Sequence, residues 1–317
     1  MAVCLHNPFF KVNARDTMRF VSCDWGTSHF RLRLVGFPES REICTDDGTA
    51  KLAGIARTAD ERATLFRSIL QRARGQLDGA HDLPVVISGM ASSSIGWKEL
   101  RYARVPFALD GRDAVREQLD PGVHLISGLR SDTDVLRGEE TEALGLAAAL
   151  GDELPTRAVF VLPGTHSKHL DITDGCIVDF RTYMTGELFD VLGRHSVLRH
   201  SLDLDAALDR AAFLDGIKEV ERKPLTAALF RVRTRQLLEQ RDAPSNASFL
   251  SGILIGVELM ALIEVDRSII VAAGERLRLM YATAAEALRL GDRFRTIDSA
   301  RLAMRGQEVL LRQGASH

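Results

Sequence analysis

An aspartate and small hydroxylated residues follow an apolar run near the start of the sequence, within residues 20–34. The apolar run ends at Asp24. A tight turn of Gly26, Thr27 and Ser28 comes next, and an alternating apolar pattern then follows, which predicts a β-hairpin. Backbone N–H groups in such a turn can bind an anion, and the neighbouring carboxylate can hold Mg²⁺ directly or through water. The same stretch is also typical of an ordinary polar hairpin, so alone it leaves both interpretations open.

A second Gly-Thr turn occurs at Gly164 and Thr165, again after an apolar run and again before an alternating strand pattern. This turn carries a hydroxyl and a basic residue, Lys168. A third strand is expected after it, just as a third strand is expected near residues 41–45 after the first turn. One supersecondary unit is therefore expected twice, each copy with a Gly-Thr turn at its tip. Two such turns indicate a phosphate site more strongly than either turn alone.

The composition limits the classes of function. The chain has 317 residues, enough for two domains, and a formal net charge of −2, so no basic field favours nucleic acid or an anionic membrane. No apolar run approaches the roughly twenty residues of a membrane span. The four cysteines have neither paired nor zinc-ligand spacing. Cys23, Cys44 and Cys176 fall in strand patterns, where free thiols act as small core residues, so a reduced, cytoplasmic setting is expected.

A loop rich in small hydroxylated residues follows the buried-strand pattern at residues 85–89. Ligand loops of open α/β sheets gather at the carboxyl ends of strands. This loop contains Met90, Ser93, Trp97 and Lys98, which suits a polyhydroxylated, anionic ligand. It suits equally a solvent loop with the tryptophan packed beneath it, and the methionine is better explained by packing than by substrate contact.

Glu139 and Glu140 stand where a helix is expected to begin, shortly before the second Gly-Thr turn. Acids in a first helical turn complement the helix macrodipole, which explains them without any catalytic role. A carboxylate there could also act as a general base toward a hydroxyl.

Further along, Gly274 stands between a strand pattern and a helix pattern. Such a glycine lets a flat ring or a phosphate approach the backbone, although any strand-to-helix turn has this pattern.

Together these motifs resemble those of the actin, Hsp70 and sugar-kinase superfold, and more narrowly those of the 2-dehydro-3-deoxygalactonokinase family. The resemblance covers nearly the whole chain from Phe20. It is carried by Asp-Trp-Gly-Thr at 24–27, Gly-Met at 89–90 with Gly-Trp-Lys at 96–98, Arg-Gly-Glu-Glu-Thr at 137–141, Pro-Gly-Thr-His-Ser-Lys at 163–168, Asp-Phe-Arg-Thr-Tyr-Met-Thr-Gly-Glu at 179–187, and an adenosine-like motif at 271–276. One departure is Ser92, which replaces a glycine of the pattern Gly-Met-x-Gly-Ser and puts the shape of that loop in question.

The resemblance implies an α/β fold of two duplicated ribonuclease-H-like domains with a nucleotide cleft between them. Residues 1–18 are expected as an N-terminal extension and 19–137 as a first domain with the first phosphate motif and the sugar-acid loop. Residues 138–317 are expected as a second domain with the second phosphate motif and the adenosine motif. The last helix, expected over 298–311, would pack back on the first domain.

The resemblance also implies an ATP- and Mg²⁺-dependent kinase that phosphorylates the terminal C6 hydroxyl of 2-dehydro-3-deoxy-D-galactonate in galactonate and galactose catabolism. In this interpretation Asp24 orients Mg²⁺, and Glu139, or else Glu140, is the general base. The residues expected to bind nucleotide are Gly26, Thr27, Ser28, Gly164, Thr165, Lys168 and Gly274. The residues expected to bind the sugar acid are Met90, Ser93, Trp97, Lys98 and Arg181.

Two other functions remain open at this point. A kinase of another sugar or sugar acid would use the same ATP site, and a non-catalytic sensor would bind nucleotide without transfer. A purely structural role would leave the repeated Gly-Thr turns without a reason. The partners expected are a small-molecule sugar acid and a second copy of the chain in a homodimer, with neither nucleic acid nor a membrane.

Overall fold

The computed structural model describes residues 18–39 and 41–314. The expected extension over residues 1–18 therefore lies outside the described residues, except for Met18. The described chain forms two compact units. The first contains the chain up to Thr156, Ile172–Phe180 and the chain from Ser299, and the second contains Arg157–Asp171 and Arg181–Asp298. The units thus divide at Thr156 and not at the expected residue 137.

The described residues form strands and helices throughout both units. The strands are β1 Phe20–Trp25, β2 Phe30–Val35, β3 Glu42–Thr45, β4 Val85–Gly89, β5 Ala103–Arg104, β6 Phe107–Ala108, β7 Arg116–Asp120, β8 Val123–Ile126, β9 Leu129–Arg130, β10 Val135–Leu136, β11 Arg157–Leu162, β12 Ser167–Thr173, β13 Cys176–Tyr183, β14 Ser268–Ala273 and β15 Phe294–Asp298. The helices are α1 Thr49–Ile55, α2 Ala59–Gly75, α3 Glu139–Leu150, α4 Thr185–His195, α5 Arg210–Arg222, α6 Leu225–Glu239, α7 Ala243–Met260, α8 Glu275–Ala287 and α9 Leu302–Gly314.

The two large sheets repeat one strand order. The first runs β3-β2-β1-β4-β8-β7, with β1 antiparallel to β2 and parallel to β4. The second runs β15-β14-β11-β12-β13-β6, with β11 parallel to β14 and β14 parallel to β15. Read from β13 to β14, the second sheet repeats the order third, second, first, fourth strand of the first sheet, and in each sheet a further parallel strand, β8 or β15, follows the fourth. The expected duplication of an α/β unit is therefore confirmed.

Aromatic side chains fill the core of the first unit beneath β1 and α2. Trp25 is fully buried, and its ring centroid lies 4.5 Å from that of Phe66 on α2. Trp97 is only 5 % exposed and lies edge-on to Trp25 at 6.2 Å. Burial of such rings removes a large apolar area from water and fixes β1 against α2. The first Gly-Thr turn therefore extends from a rigid strand.

Helices α3 and α9 pack closely in the first unit because both carry glycines at the contact. A Cβ added to Gly145 would lie 1.9 Å from the Leu302 carbonyl oxygen, and one added to Gly306 would lie 1.8 Å from the Thr141 carbonyl oxygen.

Helix α9 begins at Leu302 and not at residue 298 as expected. The reason is that β15 extends through Asp298, whose backbone pairs with β14.

The described cysteines differ in environment. Cys23 is a buried free thiol on β1, where burial raises its pKa, and Cys44 is an exposed free thiol on β3. Cys176 is part of a disulfide bond. The expectation of a free thiol in the core therefore holds for Cys23 and is wrong for Cys44, whereas Cys176 is buried in the core as expected but is not a free thiol. In the described part of the chain, no helix has both the length and the apolar character needed to span a bilayer.

Candidate active site

The first Gly-Thr turn joins β1 to β2 and lies against the start of α1. The backbone N–H groups of Thr49 and Ala50 donate to the carbonyls of Gly26 and Thr27 at 3.0 and 3.1 Å. The two polar ends of a trans peptide group point in opposite directions. The N–H groups of Thr27 and Ser28 therefore point away from α1. Turn amides arranged in this way can accept an anion.

Asp24 lies beside this turn, half-buried near the end of β1. One of its oxygens lies 3.5 Å from Arg31 Nη1. Burial raises the pKa of Asp24, and the nearby charges of Arg31 and Arg33 oppose that increase. No group of three or more His, Cys, Asp or Glu side chains in the described ranges could hold a metal ion. The Asp24 carboxylate beside turn amides fits Mg²⁺, which is usually held by one or two carboxylates together with substrate phosphates.

Glutamates occupy the first turn of α3, as expected for a helix N-terminus. Glu140 is 2 % exposed and accepts hydrogen bonds from the Gly138 N–H at 2.7 Å and the Thr141 hydroxyl at 2.9 Å. Burial, followed by the charge of Glu139, raises the pKa of Glu140 to about 7. Both oxygens of Glu140 therefore bind groups at the start of its own helix. Glu139 is half-buried and accepts from the Arg137 N–H at 3.1 Å.

Glu142 belongs to the same acidic cluster, although it is not among the residues expected from the sequence. Burial raises the pKa of Glu142 to about 8, and the charges of Glu139, Asp24 and Glu140 add to the increase. These four carboxylates therefore interact within the first unit. Residues three apart share a helix face, so the position of Glu142 relative to Glu139 is a signal that could have identified it.

Arg137 holds the loop that follows β4. Its Nη1 donates to the Ser92 hydroxyl at 2.7 Å and its Nε to the Tyr102 hydroxyl at 3.2 Å. Its guanidinium also lies 4.0 Å from the centre of the Tyr102 ring. Ser92, which stands where the motif resemblance predicts a glycine, is fully buried. The Ser92 hydroxyl thus binds the arginine two residues before the acidic helix start, a role that sequence reasoning missed.

The expected sugar-acid residues of this loop have different environments. The Ser93 hydroxyl donates to the Met90 carbonyl at 2.7 Å, and Met90 itself is half-buried. Trp97 lies in the aromatic core, which favours packing over a sugar platform. The Lys98 ammonium is exposed and forms an ion pair with Glu117. The charge of Lys98 is therefore already compensated within the first unit.

The second Gly-Thr turn joins β11 to β12 and lies against the start of α4. The Glu187 N–H donates to the Thr165 carbonyl at 2.9 Å. A Cβ added to Gly186 would lie 2.5 Å from the Gly164 carbonyl oxygen. The start of a helix thus supports each Gly-Thr turn through backbone contacts, which is a second respect in which the two units correspond.

Basic side chains surround the second turn. Lys168 is 4 % exposed, and its Nζ donates to the His166 carbonyl at 2.9 Å. The His166 ring pairs with Glu187 at 2.6 Å. Arg181, expected to bind the substrate carboxylate, is exposed on β13 in the second unit and interacts with Tyr183. The sugar-acid loop, by contrast, belongs to the first unit.

A cavity of about 230 Å³ opens beside the second turn within the second unit. Gly164, Leu254 and Met280 are among the residues that line it, and apolar side chains form most of its wall. Gly274, expected to lie against adenosine, is exposed at the start of α8 but is not a lining residue, whereas Arg276 is. A mostly apolar cavity beside turn amides suits a flat ring that carries phosphates.

Comparison with known proteins decides the family. A family model described as 2-keto-3-deoxy-galactonokinase matches residues 24–309. The chain belongs to the 2-keto-3-deoxy-galactonokinase family. Membership makes the protein a kinase, a phosphotransferase with an alcohol acceptor, and implies that it uses a nucleotide. The resemblance drawn from the sequence motifs is therefore confirmed.

Relatives of this family are similar over most of the chain. A Rhizobium meliloti (strain 1021) protein named as a probable 2-dehydro-3-deoxygalactonokinase is 36 % identical over 296 residues, or 89 % of this chain and 93 % of the relative. The 2-dehydro-3-deoxygalactonokinase of Escherichia coli (strain K12) is 29 % identical over 282 residues, or 86 % and 91 %. A Sinorhizobium meliloti crystal structure, provisionally described as this kinase, has a TM-score of 0.79 and 32 % identity and covers 92 % and 98 % of the two chains.

Proposed function

We propose that the protein transfers the γ-phosphoryl group of ATP to the terminal C6 hydroxyl of 2-dehydro-3-deoxy-D-galactonate, a step of galactonate and galactose catabolism. The observation that carries the proposal is the interacting group of Asp24, Glu139 and Glu142 beside a turn of backbone amides, in a chain of this kinase family. Phosphoryl transfer spreads charge over the γ-phosphoryl oxygens, so the protein mainly positions the reactants and neutralises charge.

In the first unit, the turn amides and Asp24 act on the transferred group. Asp24 orients Mg²⁺, Gly26 lets the phosphoryl group approach the turn, and the backbone N–H groups of Thr27 and Ser28 donate hydrogen bonds to phosphoryl oxygens, since the Gly26 N–H itself donates to the His29 carbonyl at 2.9 Å. Mg²⁺, when bound, neutralises charge on the phosphates. The support for these roles is that α1 holds the carbonyls of Gly26 and Thr27, which leaves the next two N–H groups pointing the other way.

A glutamate of α3 takes the proton of the acceptor hydroxyl. As the hydroxyl oxygen forms its bond to phosphorus, the bond from phosphorus to the leaving ADP oxygen breaks and the proton passes to the carboxylate. Glu139 is the first choice, because both oxygens of Glu140 already accept hydrogen bonds from Gly138 and Thr141. Glu142 is the alternative that the structure adds, since a base needs a pKa near the working pH.

In the second unit, the cavity beside the second turn takes the adenine ring, and Gly164 and Thr165 bind the remaining phosphates. Lys168 supports this turn through the His166 carbonyl and contributes positive charge. The mostly apolar wall of the cavity and the neighbouring helix start of α8 support this assignment. Gly274, at that helix start, would lie against the adenosine. Arg181 would contact the carboxylate of the sugar acid.

The setting and assembly of the protein are part of the same proposal. The protein works in the cytoplasm, where ATP is available, on a small-molecule substrate. It forms a homodimer, which the exposed apolar side chains Phe230, Leu237 and Leu238 on α6 support. Light scattering coupled to size-exclusion chromatography measures the mass: a dimer supports the assembly, and a monomer at micromolar concentration rejects it.

A coupled ADP-release assay tests the proposed reaction. The purified protein receives ATP and Mg²⁺ with each of a panel of 2-keto-3-deoxy sugar acids or neutral hexoses, and a reaction without acceptor gives the background hydrolysis. We expect acceptor-dependent ADP release that is fastest with 2-dehydro-3-deoxy-D-galactonate. Transfer to neutral hexoses alone would identify a different sugar kinase, and tight ATP binding without transfer would identify a sensor.

A further inference from the structure

A single buried carboxylate connects three walls of the cavity in the second unit. Glu258 on α7 is 1 % exposed, and four side chains donate hydrogen bonds to it. Its Oε1 accepts from the Ser167 hydroxyl at 2.6 Å and lies 2.9 Å from His169 Nε2. Its Oε2 accepts from the Thr185 hydroxyl and from the Tyr281 hydroxyl, the latter at 2.9 Å. The four donors come from β12, α4 and α8.

Each of these donors lies next to a part of the proposed nucleotide site. Ser167 and His169 alternate on β12 directly after the second Gly-Thr turn, so both point to one side of the sheet. Thr185 begins α4 and directly precedes Gly186, whose backbone approaches Gly164. Tyr281 on α8 lines the cavity, as Thr185 does.

Helix α7 carries Glu258 on the face that lines the cavity. Ser251, Leu254 and Ile255 line the cavity, and Glu258 follows them at helical spacing on the same face. Burial alone would raise the pKa of Glu258, but hydrogen bonds from His169, Ser167 and Thr185 outweigh burial, so its pKa lies below the ordinary value. The carboxylate is therefore ionised at neutral pH and can accept from all four donors at once.

We propose that Glu258 is a positioning residue for the nucleotide: its carboxylate fixes the second Gly-Thr turn, the start of α4 and Tyr281 in the arrangement that binds ATP. This inference rests on the proposed nucleotide site but not on the identity of the sugar acid. Glu258 does not line the cavity, so it acts through the groups that it holds. Removing its charge would loosen all three walls together.

The test uses the full-length protein with variants of graded severity. Glu258→Gln keeps the shape of the side chain but puts an N–H₂ donor where two donors already point. Glu258→Asp keeps the charge, and Tyr281→Phe and Ser167→Ala each remove one hydrogen bond. Glu286→Gln is the matched control, because Glu286 is an exposed carboxylate on α8 that pairs with Arg210. For each protein we measure kcat, both KM values, the ADP dissociation constant by calorimetry and the unfolding temperature.

We expect Glu258→Gln to raise the KM for ATP and the dissociation constant for ADP by about tenfold or more, with the KM for the sugar acid changed by less than about twofold. Tyr281→Phe and Ser167→Ala weaken ADP binding by a smaller factor, Glu258→Asp recovers part of the loss, and the control matches wild type. If Glu258→Gln fails to fold, the ADP affinities of Tyr281→Phe and Ser167→Ala test the proposal in its place. A lower unfolding temperature with unchanged ADP affinity would overturn the proposal.

Failure of this inference can be told apart from failure of the proposed function. If the wild-type protein binds no ADP, the proposed nucleotide site itself is wrong, and the inference fails with it. If the wild-type protein binds ADP and the Glu258 variants bind it weakly, but no sugar acid is phosphorylated, the positioning role stands and the proposed reaction is wrong.

Discussion

The backbone of Gly186 at the start of α4 lies so close to Gly164 that a side chain at residue 186 would displace the second Gly-Thr turn. A Cβ added to Gly186 would lie 2.5 Å from the Gly164 carbonyl oxygen and 2.8 Å from the Thr165 Cα. The first turn has the same type of support, since a Cβ added to Gly48 would lie 2.3 Å from the Thr27 carbonyl oxygen. In both units, therefore, a glycine allows a helix start to hold the turn through backbone contacts.

Replacing Gly186 should impair nucleotide use more than folding. We expect Gly186→Ala to lower kcat/KM for ATP by about tenfold or more, because the turn must move and overpacking costs about 1–3 kcal/mol. Gly75→Ala on α2 is the control, since a Cβ added there would have no heavy atom within 4 Å beyond its own helix backbone and chain neighbours. Steady-state kinetics and thermal unfolding of both variants give the comparison. Equal losses of kcat/KM in the two variants would contradict a specific role for Gly186.

Asp24 should be needed for turnover and not for the fold. We expect Asp24→Asn to reduce kcat nearly to background while the unfolding temperature stays close to wild type, because the ion pair of the half-exposed carboxylate with Arg31 is itself partly exposed and contributes little to stability. The assay is ADP release with Mg²⁺ and ATP, together with circular dichroism. A variant that keeps wild-type turnover would show that Asp24 does not orient the metal.

The general base can be assigned among the glutamates of α3. If Glu139 is the base, Glu139→Gln should lower kcat by about a hundredfold or more with little change in either KM, as expected for a group that acts only in the transition state. Glu142→Gln should then lower kcat by a much smaller factor, because the Glu142 carboxyl, whose pKa is raised to about 8, is mostly uncharged near neutral pH. The reverse order of the two effects would identify Glu142 as the base.

The buried Glu140 should make the stability of the protein depend on pH. Its pKa in the folded protein is raised from 4.5 to about 7, so between these values the folded state binds more protons than the unfolded state. The free energy of unfolding should therefore fall as pH rises from about 4.5 to about 8, by on the order of 3 kcal/mol for this group at about 1.4 kcal/mol per pKa unit.

The Glu140→Gln variant isolates this effect. Relative to wild type, it should gain stability as pH rises over that range, measured by urea denaturation at pH 5, 6.5 and 8, whereas the exposed Glu286→Gln control should show no such trend. A stability difference between Glu140→Gln and wild type that does not change with pH would mean that Glu140 is not protonated in the folded protein near neutrality.

Ser92 should affect the loop after β4 and leave nucleotide binding unchanged. Ser92→Gly introduces the glycine that the motif resemblance predicts and removes the hydroxyl that accepts from Arg137 at 2.7 Å. We expect a loss of about 1 kcal/mol in unfolding free energy and a change in the KM for the sugar acid, with an unchanged KM for ATP. Ser94→Gly, at an exposed position of the same loop, is the control. A changed KM for ATP alone would exclude this role.

Much of the fold could be predicted from local patterns, because a hairpin depends on alternation and turn residues that are close in sequence. Both Gly-Thr turns lie where the sequence puts them, between β1 and β2 and between β11 and β12. The end of the first unit was not predictable in this way. Helix α3 packs against α9 through Gly145 and Gly306, and no local pattern links residues so far apart.

In the candidate site, too, some features could be predicted from the sequence and others could not. Types and spacing alone pointed to Asp24, both turns and an acidic helix start, and the motifs alone pointed to the kinase family. Only the folded chain decided that Trp97 is buried with Trp25, that Glu142 interacts with Asp24, and that Glu258 holds Tyr281. The physical reason is that turn chemistry and helix capping act within a few residues, whereas burial and the meeting of charges depend on which distant segments pack together.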